Sequence, residues 1–397
     1  MRHFAIPGRY WLAVATPLVL AGAFAGPAQA AVSTPASTAA ACPGWAAMRP
    51  PSPGASTDDL FGVTVLSRRN VWAVGDYSSS SGDFRTLIEH WNGRSWQRVP
   101  SPDPGRGANY LSSVRAVSAS NIWAVGDYAS GSGGVVSNKT LILHYNGTRW
   151  RQVSSPSPGG SLDDLNGVSA VSASSIWAVG LDSGSSDRDQ SLVLHWNGRQ
   201  WRQVASPSRG KFSTVLLGVA ALSRTSAWAV GSYDNGHGSQ SLALRWNGRK
   251  WSQVSTPNPD GSSELESVAA SSGKNAWAVG DEAKGRSVTL HWNGRKWTRV
   301  PSPDILRSGD DNILYSVAVT STGNAWAVGQ ATIVSTGTAF ELHWNGRKWS
   351  NMASPTPGDT SAMYGVAAAS ASDAWTVGMF SLDSAGADQR NLAFRCR

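Results

Sequence analysis

From residue 60 onward the chain alternates short apolar and polar positions, broken by runs of Gly, Ser, Asp and Pro. The third unit shows the pattern. Leu165 to Ser172 alternates and is β-branched, which predicts a strand (A) closed by a tight turn at Ala173-Ser174. Ile176 to Val179 is apolar on both faces and predicts strand B; a polar stretch from Gly180 to Gln190 follows. Ser191 to Trp196 sets Leu192, Leu194 and Trp196 against Val193 and His195, as strand C. Asn197-Gly198 then predicts a hairpin whose two central residues take positive φ. Strand D is expected from Gln200 to Val204, with Ser206-Pro207 leading out.

This unit recurs. Trp-Ala-Val-Gly begins at Trp72, Trp123, Trp177, Trp228, Trp277 and Trp326, with Trp-Thr-Val-Gly at Trp375, at intervals of 49 to 54 residues. In phase with it, Trp-Asn-Gly-Arg-x-Trp starts at Trp91, Trp196, Trp246, Trp292 and Trp344, with a Tyr145 variant in the second unit. A strand B that is apolar on both faces requires a sheet covered on both sides. Seven such sheets stacked around an axis satisfy this, whereas an open solenoid would need polar caps. The expected fold is all-β: a seven-bladed β-propeller of four-stranded antiparallel blades.

The last unit stops at Cys396, before any strand D. Cys42 to Met48, followed by Pro-Ser-Pro, aligns with the missing strand, with Trp45 in the place of Trp96. On the same alignment Cys42 and Cys396 flank the absent hairpin turn, so a Cys42–Cys396 disulfide is expected to close the ring. Ahead of it, Arg2 and Arg9 flank an apolar run from Trp11 to Phe24 that ends in Ala28-Gln29-Ala30. Residues 1–30 therefore read as an export signal, 31–41 as a flexible leader and 42–397 as the propeller. A secreted, extracellular monomer with no membrane insertion after signal removal is expected.

Composition sharpens the picture. The chain of 397 residues has 20 Trp, 42 Gly, two Cys and only 15% charged residues. Every Trp but Trp11 falls on a repeat position, which makes the indoles packing elements between blades. The formal charge of +8 falls to +6 once the two arginines of the signal are removed. Arg94, Arg199, Arg249, Arg295 and Arg347 follow the Asn-Gly turns, three of them with Lys250, Lys296 or Lys348. They predict a solvated rim of charge, with weak adhesion to anionic polymers that fades with salt and no nucleic-acid site. His90, His144, His195, His291 and His343 occupy one equivalent position in five blades, too dispersed to share a metal ion.

No nucleophile elbow, zinc-protease motif or phosphate-cradling loop occurs, so no cofactor and no catalytic residue is assigned. The A–B and C–D turns hardly vary between units. The B–C and D–A connections vary in length and content, and binding on a rigid scaffold resides in such segments. There, Asp76-Tyr77, Asp127-Tyr128 and Tyr233 follow strand B, and Asp163, Asp164 and Asp311 precede strand A. Carboxylates that accept hydroxyl hydrogen bonds and rings that stack on pyranose faces would suit a sugar.

An aromatic-Ala-Val-Gly strand, followed about twenty residues later by an aromatic-Asn-Gly-x-x-Trp hairpin, resembles the kelch-type repeats of the galactose-oxidase central-domain superfamily. The likeness spans Leu60 to Cys396, plus the strand at Trp45; a single Gly after strand B departs from the kelch Gly pair. The resemblance implies a platform and not a reaction. The copper-radical chemistry of galactose oxidase needs a Cys crosslinked to Tyr, and both Cys here stand at the ring closure. The expected function is a non-enzymatic binding module for a glycan or an extracellular protein. The alternatives are a carbohydrate-active hydrolase or lyase using loop carboxylates, and a structural envelope component.

Overall fold

The computed structural model describes residues 44–132, 135–184, 188–258, 261–306, 310–333, 336–355, 357–383, 386 and 388–396. They form seven four-stranded antiparallel sheets, each ordered A-B-C-D. In blade 1 the strands are Asp58–Ser67, Asn70–Ser78, Phe84–Trp91 and Trp96–Arg98. The seven A strands line the axis and touch one another around the ring. Hydroxyls lace them: Ser113 Oγ accepts from Val168 N (3.3 Å), Ser169 Oγ from Ala221 N (3.0 Å) and Ser316 Oγ from Val366 N (3.2 Å), each reaching the next blade.

Two local expectations are corrected. In blade 3 the polar stretch Gly180 to Gln190 is mostly strand: B runs Ser175–Ser183 and C runs Asp189–Trp196, with Asp182 opposite Gln190. Backbone pairing continues past the point where the apolar alternation stops. The Asn-Gly hairpin is also not a two-residue turn. Trp196 pairs with Trp201 across four loop residues, and only Gly198 has positive φ (94°). Asn197 instead folds its side chain over the loop, where Oδ1 accepts from Arg199 N (3.0 Å) and Gln200 N (3.1 Å).

Each strand B indole is buried against the hairpin aromatics of the following blade. Trp228 meets Trp292 at 4.8 Å and Trp297 at 5.0 Å between ring centroids. Trp177 meets Trp246 and Trp251 in the same way, and Trp375 of blade 7 meets Trp91 and Trp96 of blade 1. On its other side the indole packs on the residue of strand C that the sequence assigned to structure. His90 stacks on Trp72 at 4.2 Å, and Arg245 and Arg395 lie over Trp228 and Trp375. The imidazoles are tied down as well, His343 Nε2 lying 2.7 Å from Asn324 Oδ1 and His195 Nε2 3.1 Å from Ser175 Oγ.

Blade 7 takes Thr360–Ser370, Asp373–Ser381 and Gln389–Cys396 from the end of the chain and Trp45–Met48 from its beginning. Trp45 lies opposite Cys396 and 5.4 Å from Trp326, filling the hairpin position of an ordinary blade. Ser52 Oγ then accepts from Asn391 N (3.0 Å), as Ser208 Oγ accepts from Ser191 N in blade 3. Cys396 is 1% exposed and packs in the Trp45–Trp326 cluster. Cys42, the signal and the leader lie outside the described residues. Replacing Trp228 by Ala removes the contact between blades 4 and 5 and is expected to cost about 3–5 kcal/mol, measured by chemical denaturation.

Candidate functional site

Every A strand breaks register just after its first core residue. Blade 1 shifts between Leu60 and Gly62, blade 5 between Leu265 and Ser267, and the other five at the same point. The residue skipped by this bulge is left without a ladder partner and lines the axis. The seven skipped residues are Phe61, Ser112, Asn166, Leu217, Glu266, Tyr315 and Tyr364. They ring one end of an axial channel of about 390 Å³, on the side of the B–C and D–A connections, with a depression of about 90 Å³ at the ring itself. Sequence reasoning missed this ring. The available signal was the most variable position of the strand A motif, immediately after the first Leu or Met, which holds six residue types in seven units.

The ring is aromatic on one side. Tyr364 lies 5.1 Å from Phe61 and 5.4 Å from Tyr315. Its ionisable groups are shifted toward their protonated forms. Burial, reinforced by the neighbouring Glu264 and Asp281, holds the Glu266 carboxyl well above the usual carboxylate range. Burial and then the surrounding carboxylates push the Tyr315 and Tyr364 hydroxyls up. Asn166 donates from Nδ2 to the Leu216 carbonyl (3.0 Å), while its Oδ1 accepts no hydrogen bond among the described residues. Beside the ring, burial raises Glu264 to about 7 and Asp281 to about 6, and Ser232 Oγ donates to Glu264 Oε1 (2.8 Å). The mouth of the channel therefore offers hydrogen-bonding groups and ring faces, with carboxyls whose pKa values burial raises toward neutral pH.

None of the residues chosen from sequence is a member of this ring, though Asp76 and Asp311 lie near enough to raise Tyr364 and Tyr315. Asp163 is a loop cap: its Oδ1 accepts from Gly159 N (2.7 Å) and its Oδ2 lies 3.6 Å from Lys139 Nζ. Asp58, Asn109 and Thr214 perform the same capping in blades 1, 2 and 4. Asp76, Asp127 and Asp164 are buried within the strands, with Asp76 opposite Asp59 on strand A. Tyr128 and Tyr233 pack against inter-blade cores, and Tyr77 lies under the Arg98 guanidinium at 4.3 Å. Asp311 is exposed at the start of strand A of blade 6, and it contributes to raising Asp281 and Tyr315.

A second feature of the same face is apolar. Phe212, Ile333 and Leu382 are the exposed large hydrophobic residues among those described, at 54%, 45% and 66%. Phe212 lies on the D–A connection entering blade 4, and Ile333 and Leu382 lie at the B–C connections of blades 6 and 7. Among the described residues no group of three or more His, Cys, Asp or Glu is arranged to hold a metal ion.

No family model matches the chain, and no curated protein matches it in sequence. Solved structures match in fold. YCF48 bound to a D1 peptide superposes with a TM-score of 0.53 at 14% identity, covering 91% of this chain and 99% of that one. A PL25 ulvan lyase bound to an oligosaccharide gives 0.52 at 11% identity, covering 88% and 94%. A chain of the mitotic checkpoint complex gives 0.54 at 13% identity, covering 96% and 99%. These likenesses establish the class, a seven-bladed β-propeller, and at such identities they establish the fold alone.

Buried carboxyls leave a measurable trace. Glu89 is fully buried in strand C of blade 1, neither of its oxygens has a hydrogen-bond partner among the described residues, and burial pushes it up to about 9. Asp58, Asp59, Glu264 and Glu341 rise to about 7. A raised folded pKa means that the native state holds protons the unfolded chain has released, so stability falls as pH rises from the unfolded toward the folded value. The histidines, lowered by burial, act only below about 6.5. The melting temperature is therefore expected to fall between about pH 7 and 9, with Glu89 a main cause. Glu89→Leu, which installs the residue found at the equivalent position of blade 2 (Leu143), should flatten that limb and add about 1–3 kcal/mol.

Proposed function

We propose that this protein is a secreted, monomeric binding module of kelch-like repeat type that takes a glycan or an extracellular protein on its B–C/D–A face. The observation carrying this reading is that face itself, which holds both the partly aromatic axial ring and all three exposed large hydrophobic residues among those described. Sugars match the ring: hydroxyls pair with Tyr315, Tyr364, Glu266 and Asn166, and a pyranose face lies against an aromatic ring. Phe212, Ile333 and Leu382 offer the apolar anchors a protein segment would use. A glycan array, run beside a pull-down from culture supernatant with purified folded protein, tests this. Tyr315→Phe should weaken a captured glycan about tenfold by removing one hydrogen bond, and Phe212→Ser with Leu382→Ser should abolish a captured protein. Silence in both assays would overturn the reading.

A carbohydrate-active hydrolase or lyase is the second reading. It is supported by carboxyls poised near neutral pH, Glu264 and Asp281, next to Glu266 and Tyr315 on the axis, which is where a general acid would be wanted. Turnover of a polysaccharide that is lost in Glu266→Gln would favour it over binding alone. A structural envelope component, the third reading, would bind nothing through this face.

The ring closure is proposed to be covalent, through Cys42 and Cys396. Trp45, three residues after Cys42, pairs with Cys396. Loop-closure entropy for so long a loop amounts to about 5–6 kcal/mol at most. Non-reducing mass spectrometry of secreted protein should find the two cysteines linked and residues 1–30 removed. Two free thiols, or a retained leader, would contradict the corresponding part.

A further inference from the structure

The two flat faces of the disc are chemically opposed. On the A–B turns and C–D hairpins stand thirteen lysines and arginines, all exposed. Six are hairpin arginines, Arg149 included, three are the adjoining lysines, and Arg68, Arg69, Arg224 and Lys274 lie on A–B turns. One carboxylate shares these segments, Asp373. It is buried and neutralised, with Arg395 Nε at 3.3 Å and Arg68 Nε at 3.6 Å. At the centre, Arg115 lines the axial channel between Thr64 and Ser169 of the neighbouring blades. Among the described residues it makes no hydrogen bond or ion pair, and the four remaining positions at its level are alanines. Most acidic side chains lie instead in the strand ends and connections of the B–C/D–A side, so the net positive charge of the chain is concentrated on the other side.

We propose that this basic face is a second binding surface, separate from the ligand face, and that it docks on an anionic polysaccharide carrying sulfate or carboxylate groups. The cations are spread around a ring, on turns whose other residues are small or uncharged and polar, and no aromatic residue stands at a turn tip. That arrangement supplies charge without the stacking platforms that single-stranded nucleic acid uses. Docked in this way, the disc turns its B–C/D–A face away from the polymer and toward solution.

Biolayer interferometry on immobilised dextran sulfate and polygalacturonate, with neutral dextran as control, tests the proposal on the whole secreted protein. Binding to the charged polymers alone is expected. With about four charge contacts it should weaken roughly fiftyfold as salt rises from about 50 to about 200 mM. Joint reversal of Arg249→Glu, Lys250→Glu, Arg295→Glu and Lys296→Glu changes only exposed hairpin tips and should leave melting unaltered while reducing binding tenfold or more. Arg209→Glu with Lys211→Glu, on the opposite face, should bind as the parent does. Absence of binding at low salt, or equal loss in the two variants, would overturn the proposal. Tighter binding to duplex DNA than to either polysaccharide would do so too, by assigning the face to nucleic acid. Because the reversed residues lie away from the axial ring, failure here leaves the reading of the ligand face standing.

Discussion

At every blade boundary the indole of one strand B is enclosed between its own blade's strand C and the hairpin aromatics of the next blade. No single sheet could bury that indole by itself, since its covering residues come from the neighbour. Blade n is thus stable only in the presence of blade n+1, and the dependence ends only when the ring returns to its start. Trp375 against Trp91 and Trp96 makes that return, and Trp45 against Trp326 repairs the gap left by the divided last blade. The hydroxyl lacing between A strands is a finer consequence of the same stacking. Gly stands where the A strands approach most closely, as at Gly62, where a Cβ would lie 3.0 Å from the Ser113 Cα.

This dependence explains what was legible in the sequence. Packing that repeats seven times imprints seven copies of Trp-Ala-Val-Gly, and the phase of the copies gives blade number, strand order and the origin of the closing strand. The same repetition identified the histidines as packing residues, because all five occupy one place beside the same indole. Local geometry was less legible. The Asn-Gly dipeptide announces a hairpin, but whether both residues or the glycine alone takes positive φ depends on the length of loop that Trp196 and Trp201 frame. In Asn197 the side chain satisfies the loop amides, and the backbone has no need of a left-handed residue there.

The site was legible only in its location. The connections that differ between units do surround the channel mouth, yet several of the polar residues picked out within them have structural partners. Asp163 caps a connection, and Tyr233 seals a boundary between blades. The axial ring comes from a bulge, and a bulge has no signature in hydrophobic alternation beyond one residue out of step. Its consequence for function is that seven side chains of six kinds, Phe61 to Tyr364, meet on an axis although about fifty residues separate each from the next. Seven-fold packing builds the frame, and departures from seven-fold identity make its axial ring asymmetric. Charge follows the same division: turns fixed by the repeat are basic, and most carboxyls lie in the strand ends and connections of the opposite side.

The most direct test of this account is the thermal unfolding of Trp45→Ala beside that of Trp228→Ala, followed by intrinsic fluorescence and by hydrogen exchange of blades 6 and 7. A ring in which the terminal strand is an equal member predicts comparable losses of stability, with exchange protection falling in blades 6 and 7 for Trp45→Ala. A Trp45→Ala protein that melts and exchanges like the parent would show that the ring does not depend on its closing contact, and would contradict the account.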